Sequence, residues 1–138
     1  MNKAFEIALG EYGIKEIVGN NDNPEVMKYY HEIGHEWVKH DELAWCAAFV
    51  NWCLLKAELE HTGKLNARSF LSIGEQTKVP QIGDIVVLWR IKKDSSYGHV
   101  AFFVREAENY IYMLGGNQSN QVCISKYPKT QLLEYRRI

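Results

Sequence analysis

Apolar residues in the first half of the chain recur at intervals of three and four, the spacing of one face of a helix. Ala4, Phe5, Ala8 and Leu9 are the clearest case. Turn formers divide the periodic segments, and Asn23 followed by Pro24 supplies a cap and a first helical position. The pattern predicts helices over about residues 3–12, 24–33, 43–60 and 68–73.

The pattern changes to that of strands after the turn at residues 80–84. The apolar run Ile85–Trp89 is typical of a buried strand, and later apolar runs are separated by turn formers. Strands are predicted over about residues 85–89, 99–104, 110–114, 121–127 and 132–137. Helices followed by antiparallel strands indicate an α+β fold, with a helical N-terminal half packed on a C-terminal sheet of about five strands.

The length and net charge of the chain limit the classes of function that it can have. The 138 residues fit a single domain, 1–138. Sixteen basic and 17 acidic residues give a net charge of -1, which argues against nucleic acid as a partner. No apolar stretch reaches membrane-spanning length, so we expect no membrane partner. We also expect a monomer. The first residues lack a signal-peptide pattern, so we expect synthesis in the cytoplasm and action elsewhere after release or export.

One of the three cysteines stands out. An odd count is a poor disulfide framework, and Cys53 and Cys123 are expected to be small buried hydrophobes. Cys46 follows Asp41 and Glu42 at the start of the most apolar run of the chain. The first turn of a helix favours a thiolate there, so we predict that Cys46 is a nucleophile.

A nucleophilic cysteine needs a base and a group that orients the base. His99 opens a predicted strand directly after Gly98, and Asn117 lies just past the next strand. Neighbouring strands would bring these two side chains together, so that Asn117 accepts a hydrogen bond from one ring nitrogen while the other faces Cys46. Taken alone, three residues so far apart in sequence are a weak signal.

Four segments resemble, in order and spacing over about residues 41–125, the motifs of CHAP and NlpC/P60 cysteine peptidases. They are Trp45-Cys46-Ala47-Ala48-Phe49-Val50-Asn51-Trp52, Gly83-Asp84-Ile85-Val86, Gly98-His99-Val100-Ala101-Phe102 and Gly115-Gly116-Asn117-Gln118. These families are papain-like peptidoglycan amidases and endopeptidases, and the chain is similar to their single-domain, phage-endolysin-like branch. The resemblance implies a papain-like fold and a thiol mechanism without metal or cofactor.

The resemblance also implies roles. Cys46 matches the nucleophile, His99 the base and Asn117 the polar third member, with Gln118 as a competitor for that place. The substrate would be peptidoglycan, cleaved at the muramoyl-L-alanine amide or within the stem or cross-bridge. The setting would be a phage lysin or a secreted antibacterial effector, the latter with a cognate immunity protein as partner. Asp84 matches a structural turn and is left out of the catalytic set.

Substrate contacts and the oxyanion hole are less defined. We expect Trp37, Trp45, Tyr97 and Gln118 to contact substrate. Trp45 stands where many NlpC/P60 enzymes have an aspartate. No glutamine precedes Cys46, so the backbone N–H of Cys46 is the candidate oxyanion donor. Possible neighbours for a second donor are Tyr30, His40 and Asp41.

Two alternatives belong to other classes of protein. His31-Glu32-x-x-His35 fits the zinc metalloprotease pattern, in which two histidines on one helix face bind the metal and the glutamate is the base. Gly34 weakens such a helix and Glu36 is atypical, although His40 could serve as a third ligand. The other alternative is a non-catalytic module that binds cell wall or a protein, which would keep the aromatic residues and lose the triad.

Overall fold

The computed structural model describes residues 2–16, 23–37 and 45–138. Within these ranges lie three α-helices, α1 (Lys3–Gly10), α2 (Pro24–His31) and α3 (Cys46–Lys56), and a 3₁₀ helix at Ala67–Ser72. Their positions confirm the predicted helices, although the three α-helices are shorter than predicted. Asn23 caps α2, since its side chain accepts a hydrogen bond from the N–H of Glu25 at 2.9 Å.

The strands are β1 (Glu75–Thr77), β2 (Ile85–Trp89), β3 (Gly98–Glu106), β4 (Tyr110–Gln118), β5 (Gln121–Pro128) and β6 (Leu132–Arg137). They form one sheet in the order β1-β6-β2-β3-β4-β5, and every neighbouring pair is antiparallel. The α+β prediction is confirmed, with six strands in this sheet instead of five. The additional strand, β1, was missed because its three residues carry no apolar alternation and are held by pairing with β6.

α3 is the centre of the core. Every residue from Cys46 to Leu54 is buried, because α1 and α2 cover one side of the helix while β3 and β4 cover the other. Gly116 of β4 allows this close approach. A Cβ atom there would lie 2.7 Å from Cζ3 of Trp45 and 2.8 Å from Cβ of Phe49. The first turn of α3 is therefore pressed against the sheet.

The turn before β2 makes structural contacts through Asp84, in the position where the family resemblance implies a structural turn. The Asp84 carboxylate accepts a hydrogen bond from the N–H of Gln81 at 2.7 Å and pairs with Nη2 of Arg137 at 2.7 Å. These contacts tie the start of β2 to the end of β6. None of the helices in the described part of the chain has the length and hydropathy to cross a membrane.

Candidate active site

Cys46 is the first residue of α3. Trp45 stands at the N-cap, and its side chain makes no capping hydrogen bond. The N–H groups of the first turn are therefore left to other acceptors. The N–H of Ala47 donates to the Cys46 sulfur, as does the N–H of Val100 on β3. Asp41 and Glu42, which were expected to open this helix, lie outside the described residues.

Cys46 and His99 form a buried pair. Their side chains are hydrogen-bonded, and their exposed fractions are 5% and 4%. Burial opposes the thiolate, but the charge and hydrogen bond of His99 outweigh it, and the pKa of Cys46 lies below its ordinary value. Burial likewise opposes the imidazolium, but the charge and hydrogen bond of Cys46 raise the pKa of His99. Both shifts move the pair towards a thiolate beside an imidazolium.

Gln118 fixes which ring nitrogen of His99 carries a proton. Nε2 of Gln118 donates to the carbonyls of Cys123 at 2.6 Å and Met113 at 3.2 Å, which leaves Oε1 as an acceptor. Oε1 lies 2.9 Å from Nε2 of His99. Because an amide oxygen only accepts, Nε2 of His99 must carry the hydrogen, and Nδ1 is the nitrogen left for the thiol. The hydrogen bond of Gln118 also raises the pKa of His99.

The structure corrects the predicted partner of His99. The register between β3 and β4 pairs Phe102 with Leu114, and simple extension of this register would set Asn117 opposite His99. The pairing of β4 with β5 is irregular between Gly115 and Gln118, and Asn117 has a left-handed φ of +58°. This kink places the Gln118 side chain over Gly115, where a Cβ would lie 2.9 Å from Oε1 of Gln118.

Tyr127 is a site residue that the sequence analysis missed. Its hydroxyl lies 3.3 Å from Nε2 of His99, and the two rings are 5.0 Å apart between centroids. Burial raises the pKa of Tyr127, and the charge of Cys46 adds to that rise, so the phenol stays neutral beside the pair. Tyr127 lies near the end of β5, far from the four motifs, and only the strand pairing brings it to His99.

The aromatic residues predicted to contact substrate have different positions. Trp45 is fully buried, donates from Nε1 to Glu16 at 3.3 Å and stacks on Tyr29, so its predicted substrate contact is wrong. Its side chain anchors the start of α3 instead. Trp37 and Tyr97 are 63% and 62% exposed and stay predictions as substrate contacts.

The remaining predicted residues are Gln118, expected to contact substrate, and three candidates for a second oxyanion donor. Gln118 is 2% exposed and its amide is fully engaged with protein groups, so it orients His99 and is not free to bind substrate. Tyr30 is fully buried. The remaining two neighbours suggested for the oxyanion hole, His40 and Asp41, lie outside the described residues.

The zinc pattern does not form its required geometry. α2 ends at His31, and Gly34 in the following turn has a φ of +102°, so His31 and His35 do not share a helix face. Nε2 of His35 lies 2.6 Å from the carbonyl of Gly63. Glu32 pairs with Nζ of Lys56 at 2.6 Å. Among residues 2–16, 23–37 and 45–138, no group of three His, Cys, Asp or Glu side chains is arranged to hold a metal ion.

A cysteine at a helix start beside a strand-borne histidine, within an α+β domain, is the arrangement of thiol hydrolases. The chain belongs to the CHAP domain family, whose model matches residues 38–117, more than half of the 138 residues. This confirms the resemblance found in the sequence and places the chain in a family of peptidoglycan hydrolases. No curated protein matches the chain.

One solved structure similar to the chain is a lipoprotein-like protein of the NLP/P60 family from Staphylococcus aureus subsp. aureus Mu50. The sequence identity is 16% and the TM-score is 0.46. The match covers 89% of this chain and 44% of that chain, so the present chain spans less than half the length of that protein.

Proposed function

We propose that this chain hydrolyses an amide bond of peptidoglycan, with Cys46 as nucleophile, His99 as base and acid, and Gln118 as the residue that orients His99. The supporting observation is the hydrogen-bonded series from Gln118 through His99 to Cys46. The fixed amide of Gln118 leaves Nδ1 of His99 for the thiol, which is the geometry that nucleophilic catalysis needs.

The reaction follows in two halves. His99 takes the proton of Cys46, and the thiolate attacks the carbonyl carbon of the scissile amide. The tetrahedral intermediate collapses when the imidazolium gives its proton to the leaving nitrogen, the C–N bond breaks and a thioester remains. Water, deprotonated by His99, then attacks the thioester carbonyl carbon, the C–S bond breaks and the carboxylic acid product leaves. The sulfur takes a proton back from His99, which restores the thiol.

The start of α3 is the candidate site for the developing oxyanion. The N–H of Cys46 has no acceptor among the described residues, since it belongs to the first position of the helix. Together with the helix dipole, this N–H would stabilise negative charge on the former carbonyl oxygen. Trp37 and Tyr97, both exposed, remain our candidates for contacts with the glycan or peptide.

The bond and the setting belong to the proposal as well. The candidates are the muramoyl-L-alanine amide and a peptide bond of the stem or cross-bridge, since both present a carbonyl to the same thiolate. A phage lysin or a secreted antibacterial effector would act on the wall as such a hydrolase, the effector with an immunity protein that blocks the site.

The test is digestion of purified peptidoglycan, with product masses read by mass spectrometry. Native protein is compared with Cys46→Ala, with Glu32→Ala and with native protein in chelator. We expect cleavage by the native protein with and without chelator and by Glu32→Ala, and none by Cys46→Ala. Activity that survives Cys46→Ala and is lost in chelator or in Glu32→Ala would replace the thiol mechanism with the metalloprotease. Binding without cleavage of any wall type would favour the non-catalytic module.

A further inference from the structure

A cavity of about 360 Å³ lies beside His99. It lies against the His99 side that carries Gln118 and Tyr127, and Cys46 is not among the residues that line it. Trp89 and Gln131 form a fixed part of its wall. Nε1 of Trp89 donates to the carbonyl of Thr130 at 3.1 Å, and Nε2 of Gln131 donates to the carbonyl of Trp89 at 3.3 Å.

Arg90 is one of the residues that line this cavity. Its main chain is held, because its N–H donates to the carbonyl of Tyr97 and its carbonyl accepts from the hydroxyl of Ser95. Its side chain makes no hydrogen bond or ion pair with any residue in the described ranges. The charge lies close enough to His99 to oppose the rise in the pKa of that imidazole.

The exposed Arg90 side chain is accessible to an anion, and its charge weakly opposes an imidazolium at His99. The proposed mechanism passes through an imidazolium at His99, and a second positive charge nearby raises the energy of that state. An arginine is also the side chain best suited to bind a carboxylate, through two parallel hydrogen bonds. A substrate carboxylate paired with Arg90 would remove the repulsion and fix the substrate in the same step.

The chemistry of the reaction indicates which part of the substrate lies here. His99 gives its proton to the leaving nitrogen, so the portion of substrate beyond that nitrogen lies on the His99 side of the site. Peptidoglycan stem peptides carry free carboxylates one or two residues beyond the candidate amide bonds. The exposed hydroxyl of Ser119, at the same cavity, offers a further polar contact.

We propose that the cavity beside His99 is the subsite for the leaving-amine portion of the substrate, and that Arg90 selects a carboxylate there. This proposal rests on the proposed function, because it takes its direction from the proton transfer by His99. Arg90 is a specificity-determining residue in this account and takes no part in bond cleavage.

The test uses pairs of soluble muropeptides that differ only in a carboxylate or carboxamide on the leaving-amine side. Native protein should favour the carboxylate member in kcat/KM. Arg90→Gln should raise KM for the carboxylate substrate about ten- to a hundredfold, the loss expected for a hydrogen-bonded charge pair, and should not raise KM for the carboxamide substrate. Arg90→Glu should favour the carboxamide. The matched control is Arg105→Gln, because the guanidinium of Arg105 stacks on Tyr112, 3.8 Å from the ring centroid.

Equal effects of Arg90→Gln on both substrates, or no preference in the native protein, would overturn the proposal while leaving the thiol mechanism standing. A binding experiment distinguishes failure of the proposed subsite from failure of the proposed hydrolase activity. Cys46→Ala, with and without Arg90→Gln, is titrated with L-Ala-D-Glu whose γ-carboxyl is blocked as the methylamide, and with the α-carboxamide of the same compound, followed by NMR. Tighter binding of the carboxylate that depends on Arg90 supports the subsite even if no substrate is cleaved. Equal binding of the two dipeptides contradicts it.

Discussion

Removing the side chain of Gln118 tests how much its hydrogen bond with His99 contributes to catalysis. In Gln118→Ala, Nε2 of His99 loses the acceptor that lies 2.9 Å away. A hydrogen bond to a charged group contributes about 1.5–3 kcal/mol, and each 1.36 kcal/mol is a factor of ten in rate. We therefore expect kcat to fall by about ten- to a hundredfold in peptidoglycan or muropeptide hydrolysis.

The same substitution has two further signatures. The hydrogen bond of Gln118 raises the pKa of His99, so its loss lowers that pKa, and the alkaline limb of the kcat/KM profile should move to lower pH. The carbonyls of Met113 and Cys123 also lose a buried donor. Urea denaturation should show a decrease of about 1–3 kcal/mol in the free energy of unfolding.

Two control substitutions test whether His99 is oriented by Gln118 and not by Asn117, the residue predicted from the sequence. Gln121→Ala removes the same side chain from the paired position on β5 and should behave as the native protein. Glycine adopts the φ of +58° found at Asn117 without strain, so kcat of Asn117→Gly should stay within about threefold of native. A Gln118→Ala enzyme with native kcat, or an inactive Asn117→Gly enzyme, would refute the orienting role of Gln118.

Other substitutions test the surroundings of the site. In Gly115→Ala the new Cβ would lie 2.6 Å from Cβ of Ala101 and 2.9 Å from Oε1 of Gln118, so kcat should fall as in Gln118→Ala and the free energy of unfolding should also decrease. In Gly116→Ala the new Cβ meets Trp45 and Phe49 at the start of α3, so the free energy of unfolding should decrease by about 1–3 kcal/mol. Steady-state kinetics distinguish the two variants, and equal effects on kcat would contradict the assignment. Arg68 donates to the carbonyls of Tyr97 at 2.9 Å and Lys93 at 2.9 Å, so Arg68→Ala should speed amide hydrogen exchange in the loop that leads to β3; unchanged exchange there would contradict this.

Much of the fold could be predicted because its elements depend on local patterns. The bounds of β2 and β6 match the predicted strands, since turn formers and apolar runs mark both. α3 is shorter than predicted because burial continues past the last helical turn, to Ala57, and apolar periodicity cannot separate the two. β1 depends on pairing with β6, a contact that no local pattern encodes.

In the candidate site too, local patterns predicted some residues, whereas others depend on tertiary contacts. Cys46 and His99 stand in motifs, one at a helix start and one at a strand start, and the structure brings them together as expected. Asn117 is the predicted third member because it lies just past the strand that follows that of His99 and matches the family motif. The irregular end of β4 changes that outcome, and an irregularity of this kind is a tertiary property. Tyr127 reaches His99 through the pairing of β4 with β5 and carries no local signal.

The most direct test of the account is the pH dependence of Cys46 alkylation by iodoacetamide, followed by mass spectrometry of the labelled peptides. We predict that Cys46 reacts with a midpoint below the ordinary thiol value of about 8.5 and that His99→Ala moves this midpoint upward. Cys53 is an internal reference, since burial raises the pKa of its thiol well above the ordinary range. A Cys46 midpoint at or above the ordinary value, unmoved by His99→Ala, would contradict the thiolate–imidazolium pair on which the proposed hydrolase depends.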